Sequence, residues 1–204
     1  MADPTDLAAL ARFCADEIEQ IWPAGPVRLL GYSFGGALAY RIAAELIDRG
    51  RVIGFLGMLD TNMPESSRGL EWNSTAAIRG LLIEMGIEPP SGELTIEAAM
   101  PLVRSVDQGL AMLRDDQAIQ VVENYLRSDH LLESASFCPL SVDVTFVEAT
   151  LPEPGFGGLS AAGWRSIIGG DLTVLQADCG HSEVLSPATL KILGPLIGMG
   201  LQRS

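Results

Sequence analysis

The stretch Val27-Arg28-Leu29-Leu30-Gly31-Tyr32-Ser33-Phe34-Gly35-Gly36 decides the fold. A turn at Pro23-Ala24-Gly25-Pro26 precedes a short apolar run, Val27 to Leu30, and a helical pattern then runs to Asp48 and stops at Gly50. Between run and helix, Gly31-Tyr32-Ser33-Phe34-Gly35 fits the Gly-x-Ser-x-Gly pattern. In that pattern a sharp strand-to-helix turn lifts a serine hydroxyl above a sheet, and small residues flank it because bulk would meet neighbouring backbone. The pentapeptide alone also describes a tight turn with a capping serine. Its strand, turn and helix setting favours a nucleophile, with helix N-terminal N–H groups aimed at any developing oxyanion and that of Phe34 first among them.

Outward from this point the chain alternates. Upstream, Leu7, Leu10, Cys14, Ile18 and Ile21 have helical spacing, and Asp3-Pro4 suits a cap and first turn. Downstream, Val52 to Leu59 is almost wholly apolar, as a parallel strand covered on both faces should be, and it ends at Asp60. From Thr61 to about Pro139 the texture is helical, over Ala76 to Met85 and Gln117 to Leu132, with breaks expected at Pro64, Pro89-Pro90 and Pro101. Strand signals return at Val142 to Val147 and Leu172 to Leu175 across a loop rich in Gly and Pro, and a helix from about Pro187 to Leu201 follows. The pattern predicts an α/β fold with a mostly parallel sheet flanked by helices. Residues 1–61 and 140–204 form its core, and 62–139 a helical insertion over the sheet.

A serine hydroxyl needs a base to take its proton, and the chain has two histidines. His130 stands among Arg127, Ser128 and Asp129 in a helical stretch, the setting of a solvated face. His181 lies beyond the strand at Leu172 to Leu175, on a loop after Asp178-Cys179-Gly180, in the chain order Ser, acid, His. For the acid, Asp60 and Glu148 both end strands, and either could orient an imidazole. Asp60 is preferred because it ends an apolar strand abruptly, whereas an outward alternating position explains Glu148 equally well. Asp178 is a lesser candidate, too close in sequence to His181.

Composition narrows the classes. A formal net charge of -13 argues against nucleic acid, which is bound through clustered Lys and Arg. No apolar run of membrane-spanning length and no secretory signal at Met1-Ala2-Asp3-Pro4 point to a soluble, cytoplasmic protein. Cys14, Cys138 and Cys179 are odd in number and widely spaced, which suggests buried thiols and neither a disulfide framework nor a metal site.

Taken together, the run from Trp22 to Gly36, Leu59-Asp60-Thr61 and Gly180-His181 resemble the corresponding motifs of the thioesterase domains that end nonribosomal peptide and polyketide synthases, and of their stand-alone relatives. The resemblance covers nearly the whole chain and implies an α/β-hydrolase fold with the insertion as a helical lid. It favours Asp60 over Glu148, since in that family the acid follows the strand after the elbow. It implies a Ser33 acyl-enzyme, His181 as base, Asp60 as its orienting acid and Phe34 N–H as oxyanion donor. The substrate would be an acyl or peptidyl thioester on carrier-protein phosphopantetheine, with no bound cofactor and no metal, released by hydrolysis or by cyclisation. A stand-alone editing thioesterase and a catalytically incompetent carrier-binding fragment are the alternatives.

The family's pattern includes strands before the first helix of this sequence, and the loop after one of them supplies a second oxyanion N–H. Their absence here predicts an unpaired sheet edge open to an edge-to-edge dimer. Leu81-Leu82 and Val121-Val122 in the insertion suit an apolar acyl chain and equally suit packing on the sheet.

Overall fold

A computed structural model of the chain describes residues 5–63, 74–153 and 161–202. Asp3-Pro4, Pro64 and most of the Gly- and Pro-rich loop lie outside them. The first helix, α1 (Leu7–Ile21), is capped by Asp6, whose Oδ1 accepts from Ala9 N at 2.7 Å. An Asp one turn closer to the apolar stripe therefore fills the capping role that the sequence suggested for Asp3.

Four strands, β1 (Val27–Tyr32), β2 (Ile53–Leu59), β3 (Val144–Ala149) and β4 (Leu172–Ala177), pair in parallel in the order β1-β2-β3-β4. Helix α2 (Phe34–Asp48) crosses from β1 to β2. Side chains alternate across the sheet, as the period of a strand requires. Leu56, Met58, Val144 and Phe146 pack with Ala39, Tyr40 and Ala43 of α2 and with Trp164. Phe55, Leu59 and Val147 pack instead with Leu193 and Ile197 of α8 (Pro187–Gln202). Ala11 and Ala15 of α1 pack with Ile42 and Leu46 of α2 and with Val27 of β1.

Between β2 and β3 lie α3 (Ser74–Glu84), α4 (Ile96–Val106), α5 (Gln108–Ala111) and α6 (Asp115–Glu133). They bury an apolar cluster of their own that includes Ile78, Leu82, Val103 and Val122, so Leu82 and Val122 pack among these helices and not on the sheet. Pro101, expected to break the chain, sits inside α4. It removes the backbone bond from position 101 to the Glu97 carbonyl. The helix continues because Ala99, Met100 and Val103 on either side of it are buried. A short α7 (Ala161–Arg165) and a single 3-10 turn, His181–Glu183, complete the described elements. Among the described residues no helix is long and apolar enough to cross a membrane.

The turn from β1 into α2 is tightly packed. A Cβ on Gly31 would stand 2.0 Å from the Gly35 carbonyl oxygen, and one on Gly36 would stand 1.8 Å from Thr61 Oγ1. A Cβ on Gly35 would meet nothing within 4 Å. Of the two glycines after the serine, Gly36 is therefore the one that the packing requires. Gly36→Ala is expected to lower stability by about 1–3 kcal/mol, because buried Thr61 cannot move away. Gly35→Ala should stay within about 1 kcal/mol of the parent. Urea denaturation midpoints of the two variants provide the comparison.

Candidate active site

The site is assembled by strand register. Tyr32 pairs with Leu59, and Leu59 with Val147, so the residues that follow β1 and β2 leave the sheet side by side. Ser33 N donates to the Leu59 carbonyl at 2.8 Å, and Asp60 N to the Val147 carbonyl at 2.7 Å. Ser33 (φ 53°) and Asp60 (φ 44°) are the described non-glycine residues at positive φ. Such backbone is costly for residues with a Cβ and persists where surrounding structure holds it. Both turns throw a side chain off the C-terminal edge of the sheet, where parallel α/β folds collect function.

His181 closes the set from beyond β4. Its Nδ1 lies 2.7 Å from Asp60 Oδ2 and its Nε2 lies 3.1 Å from Ser33 Oγ. Asp60 is 1 % exposed and His181 4 % exposed. The second carboxylate oxygen of Asp60 accepts from Ala149 N at 2.9 Å, which fixes the plane that the acid presents to the imidazole. With Nδ1–H directed at a buried carboxylate, Nε2 is left as the lone-pair nitrogen facing the serine hydroxyl. This is the geometry of a Ser-His-Asp triad.

The other candidates have different places. Glu148 remains within β3, and its Oε1 accepts from Ala161 N at 3.3 Å, at the first residue of α7. Asp178 is exposed. His130 occupies the last turn of α6. Cys179 is buried, and burial is the main cause that pushes its thiol above the usual range, so it is a packing residue. Phe34 is the first residue of α2, where an N–H has no acceptor within the helix, and it lines the cavity in front of Ser33. No group of three or more His, Cys, Asp or Glu among the described residues could hold a metal ion.

That cavity has a volume of about 550 Å³ and is lined by both Ser33 and His181. Its far wall comes from the helices between β2 and β3 and includes Glu84, Asn124, Tyr125 and Asp129, none of which carries a sequence motif. Tyr125 Oη donates to Glu84 Oε2 in a short hydrogen bond. Asp129 is exposed as a residue, and its carboxyl is raised to about 6, first by partial desolvation against the cavity wall and then by Glu133 and Glu84, with His130 opposing. A second, more apolar cavity of about 490 Å³, lined by Leu81, Met85, Val121 and others, shares Glu84 and Tyr125 with the first.

Comparison with known proteins follows the same lines. The chain spans 3 % of the probable non-canonical nonribosomal peptide synthetase CymA of Salinispora arenicola, to which it is 28 % identical over 98 % of its own length. To enterobactin synthase component F of Escherichia coli K12 it is 32 % identical over 89 % of its length, spanning 13 % of that protein. Its fold is similar to part of a four-domain nonribosomal peptide synthetase bound to AMP and glycine, at TM-score 0.74 and 21 % identity, covering 97 % of this chain and 16 % of that one. It is also similar to the thioesterase domain that cyclises the lipopeptide antibiotic surfactin, at TM-score 0.62 and 19 % identity, covering 93 % and 74 %. The family model described as thioesterase domain matches residues 1–196, and the chain belongs to that family.

Proposed function

We propose that this chain cleaves an acyl or peptidyl thioester carried on the phosphopantetheine arm of a carrier protein, through an acyl-enzyme on Ser33. The observation that carries the proposal is the hydrogen-bonded series Ser33–His181–Asp60 at the floor of a cavity large enough for an acyl chain. Similarity to a probable nonribosomal peptide synthetase supports a carrier protein as the donor.

The steps follow from the atoms present. Ser33 Oγ attacks the thioester carbonyl carbon while its proton passes to His181 Nε2. Asp60, buried against Nδ1–H, stabilises the imidazolium that results, and Phe34 N–H faces the negative oxygen. The carbon–sulfur bond then breaks, and His181 returns its proton to the departing thiolate. An ester on Ser33 is left behind. A water or a hydroxyl or amine of the acyl chain next attacks that ester, again losing its proton to His181; the bond from the acyl carbon to Ser33 Oγ then breaks, His181 returns the proton to Oγ, and a free acid or a ring leaves as product. In this scheme α3 to α6 act as the lid, and their wall governs how much water reaches the ester.

Incubation with an acyl-N-acetylcysteamine thioester is expected to yield a covalent acyl adduct by intact-protein mass spectrometry, and Ser33→Ala should yield none. A folded wild-type protein without adduct or turnover would overturn the proposal and favour a carrier-binding role. Asp60→Asn retains the shape but loses the charge that fixes the tautomer, so kcat should fall by roughly 10³- to 10⁴-fold in a thiol-release assay.

The cavity wall has its own titration. Asp129 holds its proton more tightly in the folded state than an ordinary Asp at about 3.9 does in the unfolded chain. At this group the folded state therefore binds more protons between those two values, so the part of the stability that comes from Asp129 should fall as pH rises from about 4 to about 6. The denaturation midpoint of the parent relative to Asp129→Asn should fall across that window, and a difference that stays constant with pH would contradict the shift.

A further inference from the structure

Two hydrogen bonds hold the imidazole of His181, one at Nδ1 and one at Nε2, and both lie at the edge of the ring. They fix two points in its plane, and a contact on the ring face opposes rotation about the line between them. Tyr32 supplies one: its ring stacks on the imidazole with centroids 4.9 Å apart and planes 24° from parallel. The same side chain also holds the backbone of the residue it stacks on, since Tyr32 Oη donates to the His181 carbonyl at 2.9 Å.

We propose that Tyr32, the residue before the nucleophile, is a positioning residue that sets the imidazole plane of His181 through its ring and anchors the histidine loop through its hydroxyl. The proposal rests on the triad reading of Ser33, His181 and Asp60. Its physical basis is local. Tyr32 is the last residue of β1, so the strand that delivers the serine also delivers the support for its base. The loop is tied down on its other sides by Ser182 N donating to Glu153 Oε2 at 2.9 Å and Gly180 N donating to Glu183 Oε2 at 3.2 Å. Burial, followed by the charges of Asp60 and Glu153, pushes the Tyr32 phenol up to about 12, so its hydroxyl remains a proton donor throughout the neutral range. An aromatic face is also a favourable neighbour for the imidazolium formed when Ser33 gives up its proton.

Two substitutions separate ring from hydroxyl. Tyr32→Phe keeps the stack and loses the bond to the His181 carbonyl, and Tyr32→Leu loses both. With an acyl-N-acetylcysteamine thioester, Tyr32→Phe should lower kcat by roughly 3- to 10-fold, the scale of one neutral hydrogen bond, with KM unchanged. Tyr32→Leu should lower kcat further, and the low-field Nδ1–H proton resonance of His181 should broaden or shift in that variant. Tyr32→Phe, the gentler change, carries the test if Tyr32→Leu does not fold. Wild-type kcat and an unmoved His181 resonance in the variants, or a rise in KM with kcat intact, would overturn the proposal while Ser33→Ala remains inactive. Turnover by Ser33→Ala would instead overturn the triad reading, and the proposal with it.

Discussion

The close crossing of β1 and α2 at Ser33 is the constraint on which the remainder depends. A residue with a side chain is held there at φ 53° and ψ -124°, a region that costs of order 1–3 kcal/mol. Three features hold it in place. Ser33 N is bonded to Leu59 O, Gly36 N is bonded to Ser33 O, and Gly31 lacks the Cβ that would strike the Gly35 carbonyl. The strain has a geometrical return: the hydroxyl leaves the sheet at the N-terminus of a helix, where unpaired N–H groups face the same space.

That crossing also reaches the acid. Gly36 lies against Thr61, the residue after Asp60, and Thr61 in turn gives its carbonyl to Trp164 Nε1 at 2.9 Å. Helix α2, the end of β2 and α7 therefore form one packed unit around the segment that presents the carboxylate. A carboxylate with both oxygens committed, one to His181 Nδ1 and one to Ala149 N, has little freedom to choose another partner. Burial at 1 % exposure strengthens both bonds by excluding water that would compete for them. Positive φ at Asp60 turns the chain out of the strand, and Glu148, which stays in β3, lacks that turn and caps a neighbouring helix instead.

Much of this was legible in the residues because the informative signals are local. Apolar runs closed by Ser33 and Asp60 mark parallel strands and their C-terminal ends, and one late histidine follows the last of them. Asp60 could be preferred to Glu148 on strand termination, but what separates them physically is the register of β2 with β3, a contact between residues almost ninety positions apart. Helix α4 was obscured by Pro101, since a single missing backbone bond weighs heavily in a local reading and lightly once Met100 and Val103 are buried beside it. The cavity wall was not legible for a similar reason. Tyr125 and Glu84 meet across a separation of 41 residues, so no spacing rule links them to each other or to Ser33. Tyr32 lay within the motif itself, at a position the pattern leaves unspecified, and only its contact with His181 distinguishes it.

Under the proposed function, the division between sheet and helices has a consequence for product choice. Nothing in the triad distinguishes water from a hydroxyl of the substrate, because His181 Nε2 accepts a proton equally from any acceptor that approaches the ester along the same line. Discrimination therefore has to reside in what the cavity does with the remainder of the acyl chain and with water. In this chain that surface is mixed. Glu84, Asn124 and Asp129 offer hydrogen-bonding groups to the cavity in front of Ser33, while Leu81, Met85 and Val121 line the adjoining space that shares Tyr125 and Glu84 with it. A polar wall retains water unless the substrate replaces its hydrogen bonds, since displacing an ordered water without replacing its bonds loses affinity. An acyl chain that satisfies Glu84, Asn124 and Asp129 would thus bind and dry the site in the same act. Under the proposed function, one that leaves them unpaired would leave water beside the ester, so the balance between ring closure and hydrolysis would be set by side chains on α3 and α6 and not by Ser33, His181 and Asp60.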